Sequence, residues 1–285
     1  MNFRLLNLLV LSLILVSCGG EDKSSQTVDY SDVDSTKESN GADGQPINEL
    51  ADFKFHTMIA NLPSPLQTFQ IIANVDVNMI NVKLTPTDLA SDLSTASARA
   101  YGYGVYIADM GFMAYQHQNQ QTLDYLQVCR GLAGQLGAGE VFDRTISANF
   151  EENSSNEKQF VMMMDEAFNA MDEYMVNNER FVNATEIFVG SWVESQLIAT
   201  GILKDQPPTT ANLPVYQGIY DQKQHASNLM NVLGEIDAEV NDEVLSAVED
   251  LMMFYAGFST VDNITQEDLT ELTVKLNTLK GLLLS

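Results

Sequence analysis

The chain has 285 residues, of which 45% are apolar and 8% aromatic. This composition supplies a sizeable core and excludes a wholly disordered chain. Lys and Arg total 14 against 39 Asp and Glu, so the formal net charge is −25. The excess of acid argues against nucleic-acid binding, which needs cationic side chains against the phosphates, and against electrostatic docking on anionic lipid. With only two cysteines, the chain has no disulfide framework.

The first 18 residues carry the pattern of an export signal. Arg4 precedes an apolar stretch, Leu5 to Val16, that only two polar residues interrupt. A membrane span needs about 20 apolar residues, so this shorter stretch fits the apolar part of a secretory signal. It ends in Leu15-Val16-Ser17-Cys18, which resembles the bacterial lipobox. The resemblance implies that residues 1–17 are a lipoprotein signal peptide and that Cys18 carries acyl chains of the palmitate type, which anchor stably when two or more are present.

Residues 18–52 are typical of a tether. They combine acidic residues with Ser, Thr, Asn and Gly and hold few bulky apolar residues, so no core can form there. Glu21 and Asp22 lie close behind Cys18, which resembles the export signal of Bacteroidota lipoproteins. This resemblance implies an outer-membrane lipoprotein in the surface or the periplasmic leaflet, with the surface slightly favoured. The predicted partners are therefore the lipid bilayer, through acylated Cys18, and an envelope protein.

Helical periodicity dominates residues 53–285, so we predict an all-α domain, an irregular multi-helix bundle of about eight or nine helices after the disordered tether. Two capping patterns support helix starts: Thr85-Pro86 offers an N-cap Thr with Pro at the first helical position, and Thr265 with Asp268 fits a capping box. Residues 204–214 contain two adjacent prolines, and they either divide a main bundle from a C-terminal hairpin or form a surface loop. The predicted helices lie near residues 65–75, 87–117, 119–137, 140–150, 156–177, 179–201, 213–235, 241–258 and 265–284.

Small residues recur on one face of the second predicted helix. They favour a close approach of another helix, or of a ligand, to the backbone, and the helix crossing is the commoner cause. The small residues of this second helix are Ala100, Gly104, Ala108 and Gly111.

The next predicted helix carries an apolar face that begins at Leu123 and includes Leu126, Ala133 and Leu136.

Two stretches resemble patterns of uncharacterised all-α lipoproteins of Bacteroidota. The segment Tyr101 to Met110 is similar to a Gly-Val-Tyr-(Gly)-Ala-Asp-Leu pattern within a long helix, with Ile107 in place of the usual Gly. The segment Gly190-Ser191-Trp192-Val193-Glu194 is similar to Gly-Gly-Trp-(Val/Ile)-Glu, with Ser191 in place of the second Gly. The likeness covers most of residues 63–203. It implies an all-α fold and an envelope location, and it implies no activity.

Motifs that carry catalysis or bind metals do not occur in the sequence. The three histidines are isolated, and there is no phosphate-binding loop and no nucleophile elbow. Cys129 lies in an apolar helical pattern without a His partner, which favours a small core residue over a nucleophile. We therefore predict no catalytic residue, no metal site, no cofactor and no enzyme activity.

Two acids interrupt apolar helices and are the candidate functional residues. Burial of Asp109 or Glu194 would be costly without a partner. Each acid therefore faces solvent, caps a helix, pairs with Arg99, Arg130, Arg144 or Arg180, or meets the other acid in a ligand pocket lined by Tyr101, Tyr106 and Trp192. The first function that we predict is a membrane-anchored envelope lipoprotein that acts as a non-enzymatic partner-binding or scaffold module. The alternative is a small-molecule binding helical bundle with its pocket near the two acids.

Overall fold

The computed structural model describes residues 82–147, 157–236 and 240–285, together with the single positions 68, 71, 72, 75 and 150. Cys18, the predicted signal peptide and the predicted tether lie outside the described residues, as does most of the predicted helix at 65–75. The described residues all belong to one compact unit, Asn40–Ser285.

The described part of the chain is all-α and contains no strand, which confirms the predicted fold class. Two short 3₁₀ helices, Thr87–Asp92 and Val261–Asn263, and a π-helical turn, Asp143–Ser147, connect the longer elements. The α-helices are α1 Ala96–Tyr115, α2 Asn119–Gln135, α3 Gly139–Phe142, α4 Glu157–Asn177, α5 Phe181–Leu203, α6 Leu213–Glu235, α7 Asp242–Ala256 and α8 Gln266–Leu283.

The helix predicted over 87–117 is broken in the structure. Its first part is the 3₁₀ helix, and α1 begins only at Ala96. Thr95 makes the new start, since its hydroxyl accepts a hydrogen bond from the Ala98 N–H at 2.9 Å. The Arg99 side chain fixes the break by donating to the Leu93 carbonyl. The helix predicted over 140–150 is likewise shorter, because α3 ends at Phe142 and the π-helical turn follows.

The capping box predicted at the last helix is confirmed. The Thr265 hydroxyl accepts from the Asp268 N–H at 3.1 Å, and the Asp268 carboxylate accepts from the Thr265 N–H at 2.8 Å. This reciprocal arrangement satisfies two of the N–H groups that a helix start leaves without partners. It fixes where α8 begins, and the rest of α8 packs against α5, α7 and α1.

Helices α1 and α5 form the centre of the fold. Every residue from Ala100 to Met113 is buried in α1, and every residue from Ala184 to Leu203 is buried in α5. A helix that is apolar on all sides belongs in a core rather than at a surface. Other helices cover this pair: α2 packs on α1, α6 packs on α5, and α4 and α8 contact both.

Glycine lets the two central helices touch backbone to backbone. A Cβ atom on Gly104 would lie 2.0 Å from the Ile187 carbonyl oxygen, and one on Gly190 would lie 2.1 Å from the Tyr101 carbonyl oxygen. The predicted close helix crossing is therefore confirmed at Gly104. Residues later in α1 contact residues later in α5, so the two helices run parallel. They pair Ser97 with Glu186, Tyr101 with Gly190, and Asp109 with Glu194.

Candidate functional site

The two predicted acids meet in the core. Asp109 follows Gly104 by five residues on α1, and Glu194 follows Gly190 by four residues on α5. Because the glycines bring the helices together and the helices run parallel, the next turn of each helix brings the carboxyl groups into contact. Both side chains are 0% exposed.

Lys280 of α8 completes the cluster. Its Nζ atom lies 2.5 Å from Glu194 Oε2, and its side chain is almost buried. An isolated buried carboxylate would be very costly, so this cation is what allows an ionised Glu194 in the core. The sequence analysis did not single out Lys280, which lies more than 80 residues from either acid. Its only local signal is a position between the core leucines Leu279 and Leu283 of α8.

Three of the arginines that the sequence analysis considered as partners bind other groups in the structure. Arg99 binds the Leu93 and Ser94 carbonyls. Arg130 forms an exposed ion pair with Asp143, with Nε 2.7 Å from Oδ1. Arg180 binds Asn183 and the Leu136 carbonyl.

Thr85 closes the cluster from the chain segment that precedes the first 3₁₀ helix. Its backbone N–H donates to Asp109 Oδ2 at 3.1 Å, and its hydroxyl donates to Glu194 Oε1 at 3.5 Å. The hydroxyl expected to cap a helix is therefore turned to the acids, and Pro86 occupies the N-cap position without a side-chain hydrogen bond. Two phenols hold this segment in place. The Tyr125 hydroxyl donates to the Thr85 carbonyl at 2.9 Å, and the Tyr106 hydroxyl donates to the Pro86 carbonyl at 2.8 Å.

The cluster carries two acids and one cation, so its electrostatics favour one additional proton. Burial raises the pKa of Asp109 well above its usual range, and the negative charge of Glu194 raises it further. Lys280 and the Thr85 N–H act in the opposite direction. Asp109 Oδ1 accepts no hydrogen bond, while a proton on Asp109 would be donated to Glu194. These effects favour the protonated form of Asp109 beside the Glu194–Lys280 ion pair.

The neighbouring groups are neutral as well. Burial, followed by the charge of Asp109, raises the pKa of the Tyr106 and Tyr125 hydroxyls, which keeps both phenols protonated as donors. Cys129 is fully buried, and burial followed by Asp109 raises the pKa of its thiol. This agrees with the prediction of a small core residue. Within the residues described, no group of three or more His, Cys, Asp or Glu side chains is arranged to hold a metal ion.

Tyr101 and Trp192, the other two aromatic residues predicted to line the pocket, make further contacts in the core. Tyr101 packs at the helix crossing, where burial and Glu186 raise the pKa of its hydroxyl. Trp192 donates from Nε1 to Gln222 Oε1 at 2.8 Å, and its ring packs against Tyr255 with centroids 6.2 Å apart. Of the predicted set, Tyr106 lies near both acids, whose charges add to burial in raising the pKa of its hydroxyl. Sequence reasoning missed Lys280, Thr85 and Tyr125.

A second feature lies on the surface, in a groove of about 520 Å³ between α7 and α8. Three carboxylates line it, together with one cation, Lys275. Lys275 is already paired, with Nζ 2.6 Å from Asp250 Oδ2 and 3.6 Å from Glu271 Oε1. The apolar lining includes Val274, whose side chain is strongly exposed. The lining residues are Asp242, Glu243, Ser246, Ala247, Asp250, Val274, Lys275, Thr278 and Leu282.

The chain matches no protein-family model, no curated protein sequence and no solved structure. The stretch of chain that the structure describes includes no helix both long and apolar enough to cross a bilayer.

Proposed function

We propose that this chain is a lipid-anchored envelope protein whose helical domain binds a protein partner and catalyses no reaction on it. The lipobox at Cys18, the acidic residues 18–52 and the resemblance to Bacteroidota lipoproteins support the anchor and the location. The surface groove between α7 and α8 supports partner binding. It is the single observation on which the assignment of the binding face rests.

The lining of the groove indicates the chemistry of the partner. Asp242, Glu243 and Asp250 supply negative charge, and the one lining cation is neutralised by its own ion pairs. Val274 adds an apolar side chain that is 61% exposed. A partner segment with one apolar face and flanking Lys or Arg residues complements both properties. A groove between two helices is a common site for an amphipathic helix of this kind.

The anchor is tested by fractionating membranes from cells that express the Cys18→Ala chain. Loss of the acylated thiol should move the protein from the membrane pellet to the soluble fraction, because the anchor is the acyl chains. Cys129→Ala is the matched control, since it removes the other cysteine and should leave the protein in the pellet. Retention of the Cys18→Ala chain in the membrane would contradict the anchor.

The binding face is tested by mild crosslinking in native membranes, purification of the lipidated chain and mass spectrometry. Val274→Lys places a cation in the groove and should abolish recovery of a stoichiometric basic partner. Met253→Lys changes a side chain that is 66% exposed on α7 but is not among the lining residues, and it should leave recovery unchanged. Equal recovery with both variants would contradict the groove, and a bound small molecule without a protein would favour the alternative function.

A further inference from the structure

We propose that the groove between α7 and α8 recognises a helix with two cationic side chains two turns apart, and that Lys275 occupies the position of one of these cations until the partner displaces it. This inference rests on the proposed function, since it concerns the same groove. It adds the spacing that the partner must present and the residue that regulates its binding. Three features support it: the direction of the two helices, the spacing of the carboxylates and a second carboxylate beside Lys275.

The two helices run antiparallel along the groove. Its lining extends from Asp250 back to Asp242 on α7 and from Val274 forward to Leu282 on α8. Lys275 pairs with Asp250 at one end of this lining, so Leu282 lies toward Asp242 at the other end. The groove therefore offers a partner helix a seat about two helical turns long.

The two walls of the groove differ in chemistry. Within the described part of the chain, the three carboxylates that line the groove all belong to α7. Glu243 and Asp250 are seven residues apart, so they lie on nearly the same face of α7 and about 11 Å apart along its axis. On α8, Val274, Thr278 and Leu282 follow one another at intervals of four residues and form one ridge. A partner helix with its apolar face on this ridge matches both carboxylates when its cations are seven residues apart.

Lys275 already fills one of the two cation positions. Its Nζ atom lies 2.6 Å from Asp250 Oδ2, and it is the one cation among the described residues that line the groove. Glu243 is exposed and forms no ion pair with the residues that the structure describes. A partner therefore finds one carboxylate open and must compete with Lys275 for the other.

A second carboxylate lets Lys275 give up Asp250 without losing its own partner. Glu271 Oε1 lies 3.6 Å from the same Nζ atom and belongs to the preceding turn of α8. The side chains of Asp250 and Glu271 are 58% and 57% exposed, so water keeps the cost of exchanging one for the other small. A cation of the partner can thus bind Asp250 while Lys275 stays paired with Glu271.

Two synthetic helical peptides test the spacing. Both are held helical by a hydrocarbon staple and carry two lysines and the same leucine face. The lysines are seven positions apart in the first peptide and five apart in the second, which turns one lysine away from the groove. Fluorescence anisotropy with the full Cys18→Ala chain should give a dissociation constant about two- to fivefold lower for the first peptide, the range of one exposed ion pair. Asp250→Asn should abolish this preference, and equal affinities for the two peptides would overturn the proposal.

Removal of the charge of Lys275 tests its role as a competitor. Lys275→Met should tighten binding of the first peptide by about two- to fivefold, because Asp250 then has no internal cation. Arg130→Met is the matched control, since it makes the same change of net charge at an exposed ion pair on α2. In about 0.15 M salt, which screens distant charges, it should leave the affinity unchanged. Unchanged or weaker binding in the Lys275→Met chain would overturn the proposal.

Glu271 should affect binding only through Lys275. Glu271→Gln removes the second partner of the ammonium group and should weaken binding of the first peptide by about twofold or more where Lys275 is present. In the Lys275→Met chain the same substitution should have no effect, because Glu271 is not among the residues that line the groove. An equal loss in both backgrounds would overturn the displacement of Lys275.

Val274→Lys separates this proposal from the proposed function. It places a cation in the groove and should abolish binding of both peptides. If it does so while the two peptides bind the original chain equally well, the groove remains the binding face and the proposed spacing is wrong. If neither peptide binds the original chain, or if both bind the Val274→Lys chain as tightly, the binding face itself is contradicted and the proposal with it.

Discussion

Two lysines of the same helix, Lys275 and Lys280, show how burial changes the contribution of an ion pair to stability. Their closest partner distances are almost equal, 2.6 Å to Asp250 and 2.5 Å to Glu194. The partners differ, because the side chain of Asp250 is 58% exposed and that of Glu194 is 0% exposed. Water screens the exposed pair, whereas Glu194 is isolated from solvent and cannot lose its cation without leaving a charge in the core.

The difference arises from the faces of α8. Lys280 lies beside Leu279 and Leu283, both buried, and reaches toward α5. Lys275 reaches toward α7, where its ammonium lies 5.6 Å from the centre of the Phe254 ring. One helix thus carries one cation that pairs with a buried carboxylate and another that pairs with an exposed carboxylate. The distance between charged atoms alone would not distinguish them.

The largest expected effect is a loss of stability in Lys280→Met. Methionine keeps the apolar stem and the volume but removes the charge, which leaves two carboxyl groups in the core without a cation. We expect the free energy of unfolding to fall by about 3–5 kcal/mol. Lys275→Met makes the same chemical change on the same helix and should cost no more than about 1 kcal/mol.

Urea denaturation of both variants, in a Cys18→Ala background that excludes lipidation, measures this difference. Equal losses in the two variants would mean that burial of Glu194 does not set the strength of the pair.

A smaller effect is expected when the helix crossing that creates the buried site is widened. Gly104→Ala would place a methyl group 2.0 Å from the Ile187 carbonyl oxygen, and neither backbone can yield without separating the helices. We expect a loss of about 3 kcal/mol, the upper part of the range for overpacking. Thermal or urea unfolding measures it.

Gly131→Ala in α2 is the matched control for this crossing. Outside the backbone of α2 itself, no atom of the residues that the structure describes lies within 4 Å of the added methyl group, so the gain in helix propensity should stabilise the chain by up to about 1 kcal/mol. A similar outcome for Gly104→Ala and Gly131→Ala would show that the contact between α1 and α5 is less close than the structure has it.

Local signals in the sequence predicted much of the fold. Helical periodicity gave the all-α class, and Thr265 with Asp268 predicted the start of α8, because a capping box depends on residues three apart. The small residues around Gly104 predicted a close crossing for a similar reason. The two acids were candidate functional residues because a charge in an apolar helix is costly to bury without a partner.

Local patterns in the sequence do not reveal long-range contacts. Nothing near Asp109 in the sequence indicates Lys280 or Glu194 as a neighbour, since these contacts depend on how three helices pack. The same holds for Thr85, whose pattern fits a helix cap and whose hydroxyl instead binds Glu194. On α2, the predicted apolar face included Leu123, which is exposed, while Thr122 and Tyr125 are buried, because their hydroxyls bond to the Gln118 and Thr85 carbonyls.

The smallest effect we predict is a dependence of stability on pH that arises from Asp109 in the buried cluster. It is measured in the Lys280→Arg chain, which keeps a cation beside Glu194. The pKa of Asp109 is raised in the folded state, so the folded chain binds this proton more tightly than the unfolded chain does. The contribution of Asp109 is therefore most favourable below about pH 4, where both states are protonated, and it is lost as the pH rises from there toward the folded pKa.

Adding Asp109→Asn to Lys280→Arg should remove this dependence, because an amide does not titrate. Between pH 4 and pH 5, the stability of the single variant should fall relative to the double variant by up to about 1.4 kcal/mol. Asp250→Asn in the same background is the matched control, since it makes the same change at an exposed ion pair. Parallel profiles for the single and double variants would mean that the pKa of Asp109 is not raised in the folded protein.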